Sequence, residues 1–430
     1  MMGFRQTEIG SLPTDWEVSD IGNCFAIKQG KQLSAKHRRG TNERPFLRTS
    51  NVFWGKLDLV DLDEMHFTVE ETNELALRSG DLLVCEGGEI GRTAIWQDNL
   101  KDCYYQNHLH RMRAKDNDTN THFYMYWLMY GFSVGKIYFG LGNKTTIPNL
   151  SQSRLKSLLI PCPLLVEQQN ISHILSKIQS AIETQEKIIQ TATALRKALM
   201  QKLFAEGLNG EPQKDTEIGL VPRSWQVVQL ADAVSYIDYG FSQAIPKTPI
   251  KDGVKIVSTA DISKDGKLLY YKIRKVIAPV KTTARLTLKD GDVLFNWRNT
   301  AELIGKTAVF QSQPEPHIFA SFVLRIRCDE KKIHNRFLCY LMNHFREKGV
   351  FVKLSRRAVN QANYNKNEIS VLPIPLPTYQ EQVEIAEALS IVERKIDSSK
   401  SIKAKYESLF ASALHHLMTG QIRVKDVRFS

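Results

Sequence analysis

What the chain lacks narrows it first. No run of about eighteen apolar residues is present, so no membrane-crossing helix is expected, and Met1-Met2-Gly3-Phe4-Arg5-Gln6 has no signal-peptide core. The six cysteines (Cys24, Cys85, Cys103, Cys162, Cys328 and Cys339) form no Cys-x-x-Cys pair and no dense cluster, which predicts reduced thiols and a cytoplasmic chain. Lysine and arginine never gather into a block of five or six, as a basic tail would require.

A catalytic constellation is also missing. Phe139-Gly140-Leu141-Gly142 lacks the third glycine of a dinucleotide loop, and Gly305-Lys306-Thr307 has Thr300 where a phosphate loop needs its leading glycine. A β-turn carrying a basic side chain suits the second better, since the first half has Gly91-Arg92-Thr93 there. Asp265-Gly266-Lys267 and Glu393-Arg394-Lys395 end like nuclease motifs but read as a hairpin turn and a helix segment. His108 and His110 are expected on one strand face and His415-His416 on a helix, neither with a third ligand at metal spacing. No Asn-Pro-Pro-Tyr or Asn-Pro-Pro-Phe of an amino-methyltransferase occurs. The sequence therefore predicts a chain that is not an enzyme by itself and holds neither metal nor cofactor.

What is there is length, charge and repetition. With 430 residues, 42% of them hydrophobic, two to four domains with sizeable cores are expected. The net charge of +12 is uneven: residues 1–214 carry 25 Lys and Arg against 24 Asp and Glu, residues 215–430 carry 33 against 22. A surplus of that size favours a polyanionic partner, nucleic acid first, because neutralising phosphates releases counterions.

The chain is written twice. Thr7-Glu8-Ile9-Gly10, Pro13 and Trp16 return as Thr216-Glu217-Ile218-Gly219, Pro222 and Trp225, an offset of 209. Gly80-Asp81-Leu82-Leu83 returns as Gly291-Asp292-Val293-Leu294, and Ile90-Gly91-Arg92-Thr93-Ala94 as Ile304-Gly305-Lys306-Thr307-Ala308. The later offset of 214 holds through Arg111 and Arg113, Pro161 and Pro163, and Glu167. Short alternating runs between Gly, Asn and Asp predict twisted, mainly antiparallel β-structure, with one helix over His122 to Tyr130 and its partner over Arg336 to Phe345.

Each copy ends in a proline pair followed by a long helix without proline or glycine inside. Glu167 to Phe204 carries apolar residues at Ile171, Ile174, Ile178, Ala181, Ile188, Ala192, Leu195 and Leu199, a narrow seam broken at Gln185. The second helix carries Leu389, Val392, Ile396, Tyr406, Phe410, Ala413 and Leu417, and Thr378 with Glu381 has capping-box spacing. Two rods of similar length are expected to pair antiparallel. The fold class is therefore α+β: two repeated globular domains, largely antiparallel β with a few helices, separated by two long coiled-coil helices. Boundaries are expected at 1–165, 166–207, 208–377, 378–420 and a tail at 421–430.

Framework positions match between the copies; loops do not. Two recognition modules for two targets should look like this. Basic and amide residues in those loops can pair with phosphates or with guanine and adenine edges. In the first domain they are Lys31, Gln32, Lys36, Arg38, Arg39, Arg48, Asn51, Lys144 and Thr145. In the second they are Ser242, Gln243, Lys247, Arg298, Asn299, Arg356, Arg357, Asn360 and Gln361. A solvated surface charge is the alternative for about half of them. Trp54 and Trp297 suit either base stacking or core packing.

Leu159-Ile160-Pro161-Cys162-Pro163 with Glu167-Gln168-Gln169, Leu372-Pro373-Ile374-Pro375-Leu376-Pro377 with Glu381-Gln382, and the Thr-Glu-Ile-Gly-x-x-Pro-x-x-Trp opening of each domain resemble the specificity subunit of type I restriction–modification systems. The resemblance covers essentially the whole chain. It implies a non-catalytic subunit that reads an asymmetric, bipartite site in double-stranded DNA, one target recognition domain per half. It implies a helix pair, with Ile178, Leu195, Ile396 and Phe410 in its seam, that sets the spacer and docks two modification (methyltransferase) subunits. Restriction (motor-nuclease) subunits would join the larger assembly. Adenine methylation would use S-adenosylmethionine held by the partner, on a base flipped from the duplex.

Overall fold

The computed structural model describes residues 3–33, 40–98, 100–138, 149–354, 356–358 and 361–427, with only the backbone of residues 354, 356–358, 361 and 362. Among the described residues no helix is long and apolar enough to cross a membrane. The chain forms two compact units, Met1–Glu186 with Lys400–Ser430, and Lys187–Ser399, so each long helix is shared between them.

The first unit opens with a hairpin, Phe4–Thr7 against Gly10–Pro13. Thr7 Oγ1 donates to the Gly10 carbonyl at 2.7 Å, and Gly10 turns with a φ of 110°, a conformation that side chains other than glycine rarely adopt. Glu17–Asp20 then pairs with Leu159–Cys162, tying the start of the domain to its end.

Between them lies a four-stranded antiparallel sheet in the order Thr93–Ile95, Leu82–Cys85, Leu109–Ala114, Phe25–Gln29. Leu82-Leu83-Val84-Cys85 is apolar throughout because it is covered on both faces. Leu82 and Val84 enter the core around the domain helix, while Leu83 and Cys85 enter a second core beneath a three-stranded sheet. That sheet joins Tyr104–Tyr105, Glu43–Leu47 and Asp63–His66, and its Tyr104–Tyr105 pairing is parallel.

The domain helix spans Thr121–Met129, within a residue of the predicted range, and Asn120 caps it by accepting from the Phe123 amide at 3.0 Å. Phe123 to Met129 are all buried, so it is a core helix.

The second unit repeats this topology. Its four-stranded sheet runs Val234–Tyr239, Val323–Cys328, Val293–Asn296, Thr307–Val309, and its three-stranded sheet joins Arg274–Val276, Val254–Val257 and His317–Phe319. The parallel pair recurs between Val254–Val257 and His317–Phe319. The prediction of mainly antiparallel structure holds with that one exception per copy. The second domain helix is Asn335–Glu347, slightly longer than predicted.

The long helices span Leu165–Glu206 and Tyr379–Met418, 42 and 40 residues. Within the first unit, Ile171 and Leu175 share a core with Phe410, Leu414 and Leu417, and Lys403 Nζ lies 2.9 Å from Glu186. Within the second, Met200, Leu203 and Phe204 share a core with Ile385 and Leu389, and Arg196 reaches Glu393 at 3.2 Å. The helical segments in each unit thus run antiparallel.

The seam of the second helix falls where its spacing predicts, at Leu389, Val392, Ile396, Phe410 and Leu417. The first helix differs. Its steps of four and three run through Ile171, Leu175, Ile178 and Ile182, and again through Ala192, Arg196 and Leu199. Leu195, predicted in the seam, is 54% exposed. Arg196 takes its row because it can meet carboxylates, Glu393 and Glu347, that leucine could not. Ile174 is only partly buried and gives way to fully buried Leu175.

Candidate nucleic-acid interface

The repeated polar residues build the frame on which any interface rests. Trp16 Nε1 donates to Glu167 at 3.0 Å, and Trp225 Nε1 to Glu381 at 3.2 Å. The adjoining glutamines do a second job. Gln168 accepts from the Asn120 amide and donates to the Asp118 and Pro163 carbonyls; Gln382 accepts from the His334 amide and donates to the Lys332 and Pro377 carbonyls. The Glu-Gln after each proline pair therefore fastens the long helix to its domain. This corrects the capping box at Thr378: Thr378 Oγ1 does accept from the Glu381 amide, but the Glu381 carboxylate turns away to Trp225 and the Leu208 amide.

Other conspicuous basic residues are also framework. Arg113 grips Asp81 and Arg327 grips Asp292 through paired contacts of 2.6–2.7 Å, which raise both guanidinium pKa values further. Lys306, at the phosphate-loop look-alike, is buried against the Thr259 and Ile262 carbonyls, and burial lowers its pKa. Arg92 makes the same kind of contact, to the Thr49 carbonyl at 2.8 Å. His108 is exposed and precedes the strand, whereas His110 is buried with its ring bonded to the Leu150 carbonyl, so they share no strand face. Among the described residues no three His, Cys, Asp or Glu side chains are grouped to hold a metal.

The candidate loop residues separate into three sets. Lys31 and Asn51 face inward. Lys31 is 7% exposed, bonded to the His66 carbonyl and Glu71 and lying over the Phe67 ring. Asn51 accepts from the Arg48 amide at 2.9 Å and donates to the Asp58 and Asp61 carbonyls. Asp261 holds the matching turn in the second copy by accepting from the Ser258 amide. A buried, engaged side chain has no free edge to offer a base.

A second set is open. Gln32, Ser242, Gln243 and Lys247 are exposed, and Arg48 is half-exposed beside Asp63 at 2.8 Å. Lys36, Arg38, Arg39, Lys144, Thr145 and Asn360 lie outside the described residues.

The third set is brought together by a sheet particular to the second domain among the described residues. Arg298–Asn299, Gln361–Asn363 and Arg356–Ala358 form three antiparallel strands in that order. The register places Arg298, Asn363 and Arg356 in one cross-strand row, and Asn299, Ala362 and Arg357 in the next. Arg298 and Asn363, 65 apart in sequence, thereby become neighbours, and Arg356 lies on the far side of Asn363. Arg298 stacks on Phe322, its guanidinium carbon 4.9 Å from the ring centre. Sequence reasoning missed Asn363 and Phe322: a half-buried amide and an aromatic carry no signal until the strands pair. Trp297 donates to the Ser321 carbonyl at 2.7 Å and Trp54 to Glu89 at 3.2 Å; both pack on the domain cores.

Comparison with known proteins agrees with this architecture. A family model described as the type I restriction modification DNA specificity domain matches residues 13–194 and 222–408, one match per repeat. The chain is 26% identical to a putative type I restriction enzyme MjaX specificity subunit of Methanocaldococcus jannaschii, covering 98% of this chain and 97% of that one. It is 20% identical to the StySPI specificity subunit of Salmonella potsdam, over 97% and 92% of the two chains. In fold it is similar to the S subunit of a type I restriction–modification system from M. genitalium, with a TM-score of 0.59, 13% identity and coverage of 94% and 96%. Since the family match spans both repeats, the chain belongs to the type I restriction–modification DNA specificity family, as a non-catalytic specificity subunit.

Proposed function

We propose that each domain reads one half of a bipartite, asymmetric site in double-stranded DNA, and that the paired helical segments set the spacer and dock two methyltransferase subunits. The chain would direct adenine methylation by those partners, which would hold the S-adenosylmethionine, and restriction by further motor-nuclease subunits, all in the cytoplasm. Its own role would be to position: phosphate contacts fix the register and side chains at base edges choose the sequence. One observation supports this above the rest. Two domains share the sheets and the helix fastening, yet the segment that carries Arg298 and Asn299 in the second, on a strand paired with Gln361–Asn363, has Gly87 and Gly88 in the first. A shared scaffold with unlike polar devices is what reading two different half-sites requires.

The test is methylated-motif sequencing in cells expressing the chain with its companion subunits. Arg298→Ala with Asn299→Ala should relax one half-site and leave the other half and the spacer unchanged. Relaxation of both halves, or of neither, would remove this sheet from the reading surface.

A further inference from the structure

One element has the same fold in both copies and the opposite charge. Residues 59–75 and 270–286 each supply the edge strand of the three-stranded sheet, Asp63–His66 or Arg274–Val276, and then a seven-residue helix, Val69–Leu75 or Val280–Leu286. The first stretch holds six Asp and Glu and no Lys or Arg; the second holds five Lys and Arg and no Asp or Glu. That swing of eleven charges exceeds the difference of ten between the two halves of the chain, so the basic surplus of the second half is concentrated here.

In the first domain the acids are answered from within. Glu74 pairs with Lys28, Glu71 with Lys31, and Asp63 with Arg48. The second domain has Asp238, Phe241 and Ser258 at those three places, and Asp238 is held by Arg325. Its cations are left without carboxylates. Arg274 and Lys275 donate to the Pro246 and Lys251 carbonyls at 3.1 and 3.3 Å, and Lys272 lies over the exposed Tyr271 ring at 5.4 Å. Among the described residues, none of the five basic side chains of 270–286 forms an ion pair.

Local stability does not explain these charges, because the charges work against it. Lys275 sits directly opposite Lys255 in the antiparallel ladder. Lys281 and Arg285 stand four apart on one helix face. The first-domain helix opens with Glu70 and Glu71 and a capping box from Thr68, which suit a helix start; its counterpart has Pro279 without a side-chain cap and Lys281 in the first turn. An anion bound across the face would offset all three. The face is also continuous with a reading loop, since the Arg274 and Lys275 bonds fasten the segment that carries exposed Lys247 and Lys251.

We propose that this face of the second domain, centred on Lys272, Lys281 and Arg285, grips the phosphate backbone of the duplex without reading its sequence, and that the acidic first domain makes no such contact. DNA is then held asymmetrically, with an added electrostatic grip at one end of the bipartite site. This rests on the DNA-reading role and adds a positioning contact that the two domains do not share.

The experiment measures binding of the full chain, assembled with its modification subunits, to duplex carrying its methylated motif, from 50 to 200 mM salt. Lys272→Gln with Lys281→Gln and Arg285→Gln removes three charges at exposed positions. Three fewer phosphate contacts flatten the logarithmic salt slope by about 2.7, so over that range the wild type should lose roughly fortyfold more affinity than the variant. Hydroxyl-radical footprinting should show wild-type protection reaching further at one end of the motif than at the other. The variant should lose that extension alone and keep the motif, since phosphate contacts carry no sequence. An unchanged salt slope, or a wild-type footprint of equal reach at both ends, overturns the grip while leaving the reading role intact. A variant that sheds a modification subunit but keeps the wild-type slope assigns the face to protein and overturns it too. A wild-type assembly that binds motif and scrambled duplex alike defeats the underlying reading instead.

Discussion

Arg423 holds Glu167 and Asp15 together through four contacts of 2.7–2.8 Å, and so fastens the tail to the opening of the first domain. Gly420 makes the approach possible: a Cβ there would lie 2.3 Å from Pro13. The equivalent in the second unit is Gly207, beside Pro222 and Trp225. Each long helix thus exits against the opening hairpin of a domain, and the repeat is circular: what leaves the first helix meets the second domain, and what leaves the second meets the first. Glu167 is 1% exposed, so truncating it leaves the Trp16 indole N–H without its acceptor and takes one of its two carboxylates from the largely buried Arg423 guanidinium. Glu167→Ala should destabilise the first unit by about 3 kcal/mol. Glu381→Ala, whose carboxylate among the described residues accepts from the Trp225 indole and the Leu208 amide, both neutral, should cost about 1–2 kcal/mol. Urea unfolding followed by tryptophan fluorescence would compare them.

Asp15 gives the clasp a pH signature. The Arg423 hydrogen bonds hold its carboxyl below the usual value of 3.8. The unfolded chain therefore binds this proton first, and the contribution is complete above the ordinary carboxylate range and lost as pH falls through the lowered native value. The stability difference between the wild type and Asp15→Asn should be steady near pH 7 and shrink below about pH 4. Melting temperatures of both proteins across pH 3–7 would show it.

His344 works over a different window. It is buried beside the Phe204 ring at 5.0 Å, and burial lowers its pKa to about 4. The native state resists the proton that the unfolded state accepts, so stability falls as pH drops from the ordinary imidazole value near 6.5 to about 4, then levels. His344→Gln should flatten that stretch of the profile in the second unit, removing up to roughly 3 kcal/mol of pH dependence. An unchanged slope in chemical denaturation at pH 4.5 and 7 would place the titrating group elsewhere.

The seam offers a sharp contrast between two leucine-like positions. Ile182 is 7% exposed although the sequence pattern puts Ala181 in the seam, and Leu195, which that pattern includes, is 54% exposed. Ile182→Ala should cost about 2–4 kcal/mol, Leu195→Ala no more than about 0.5 kcal/mol.

That pair also marks how far the sequence could be read. Repetition, the proline pairs and the long helices were legible because each leaves a pattern in one dimension. The phase of the first seam was ambiguous: Ile174 and Leu175, or Leu195 and Arg196, both satisfy a step of three or four, and only the partners Glu393 and Glu347 decide for Arg196. Lys31 and Asn51 look like surface polar residues until Glu71 and the Arg48 amide are folded onto them. The row of Arg298, Asn363 and Arg356 exists only once three distant strands share a register. Polar chemistry assembled across the fold leaves no local spacing to find.

The helices test the spacing idea directly. If paired rods set the distance between the two reading surfaces, one added heptad in each helix keeps the apolar seam in phase while lengthening the pair by about 10 Å. That is about three base pairs at 3.4 Å per step. Methylated-motif sequencing should then return the same two half-sites with a spacer longer by about three base pairs. Adding the heptad to only one helix would shift Lys403 away from Glu186 or Arg196 away from Glu393, and should lower stability without yielding a new defined spacer. An unaltered spacer with both heptads in place would mean that the distance is fixed by something other than the rods.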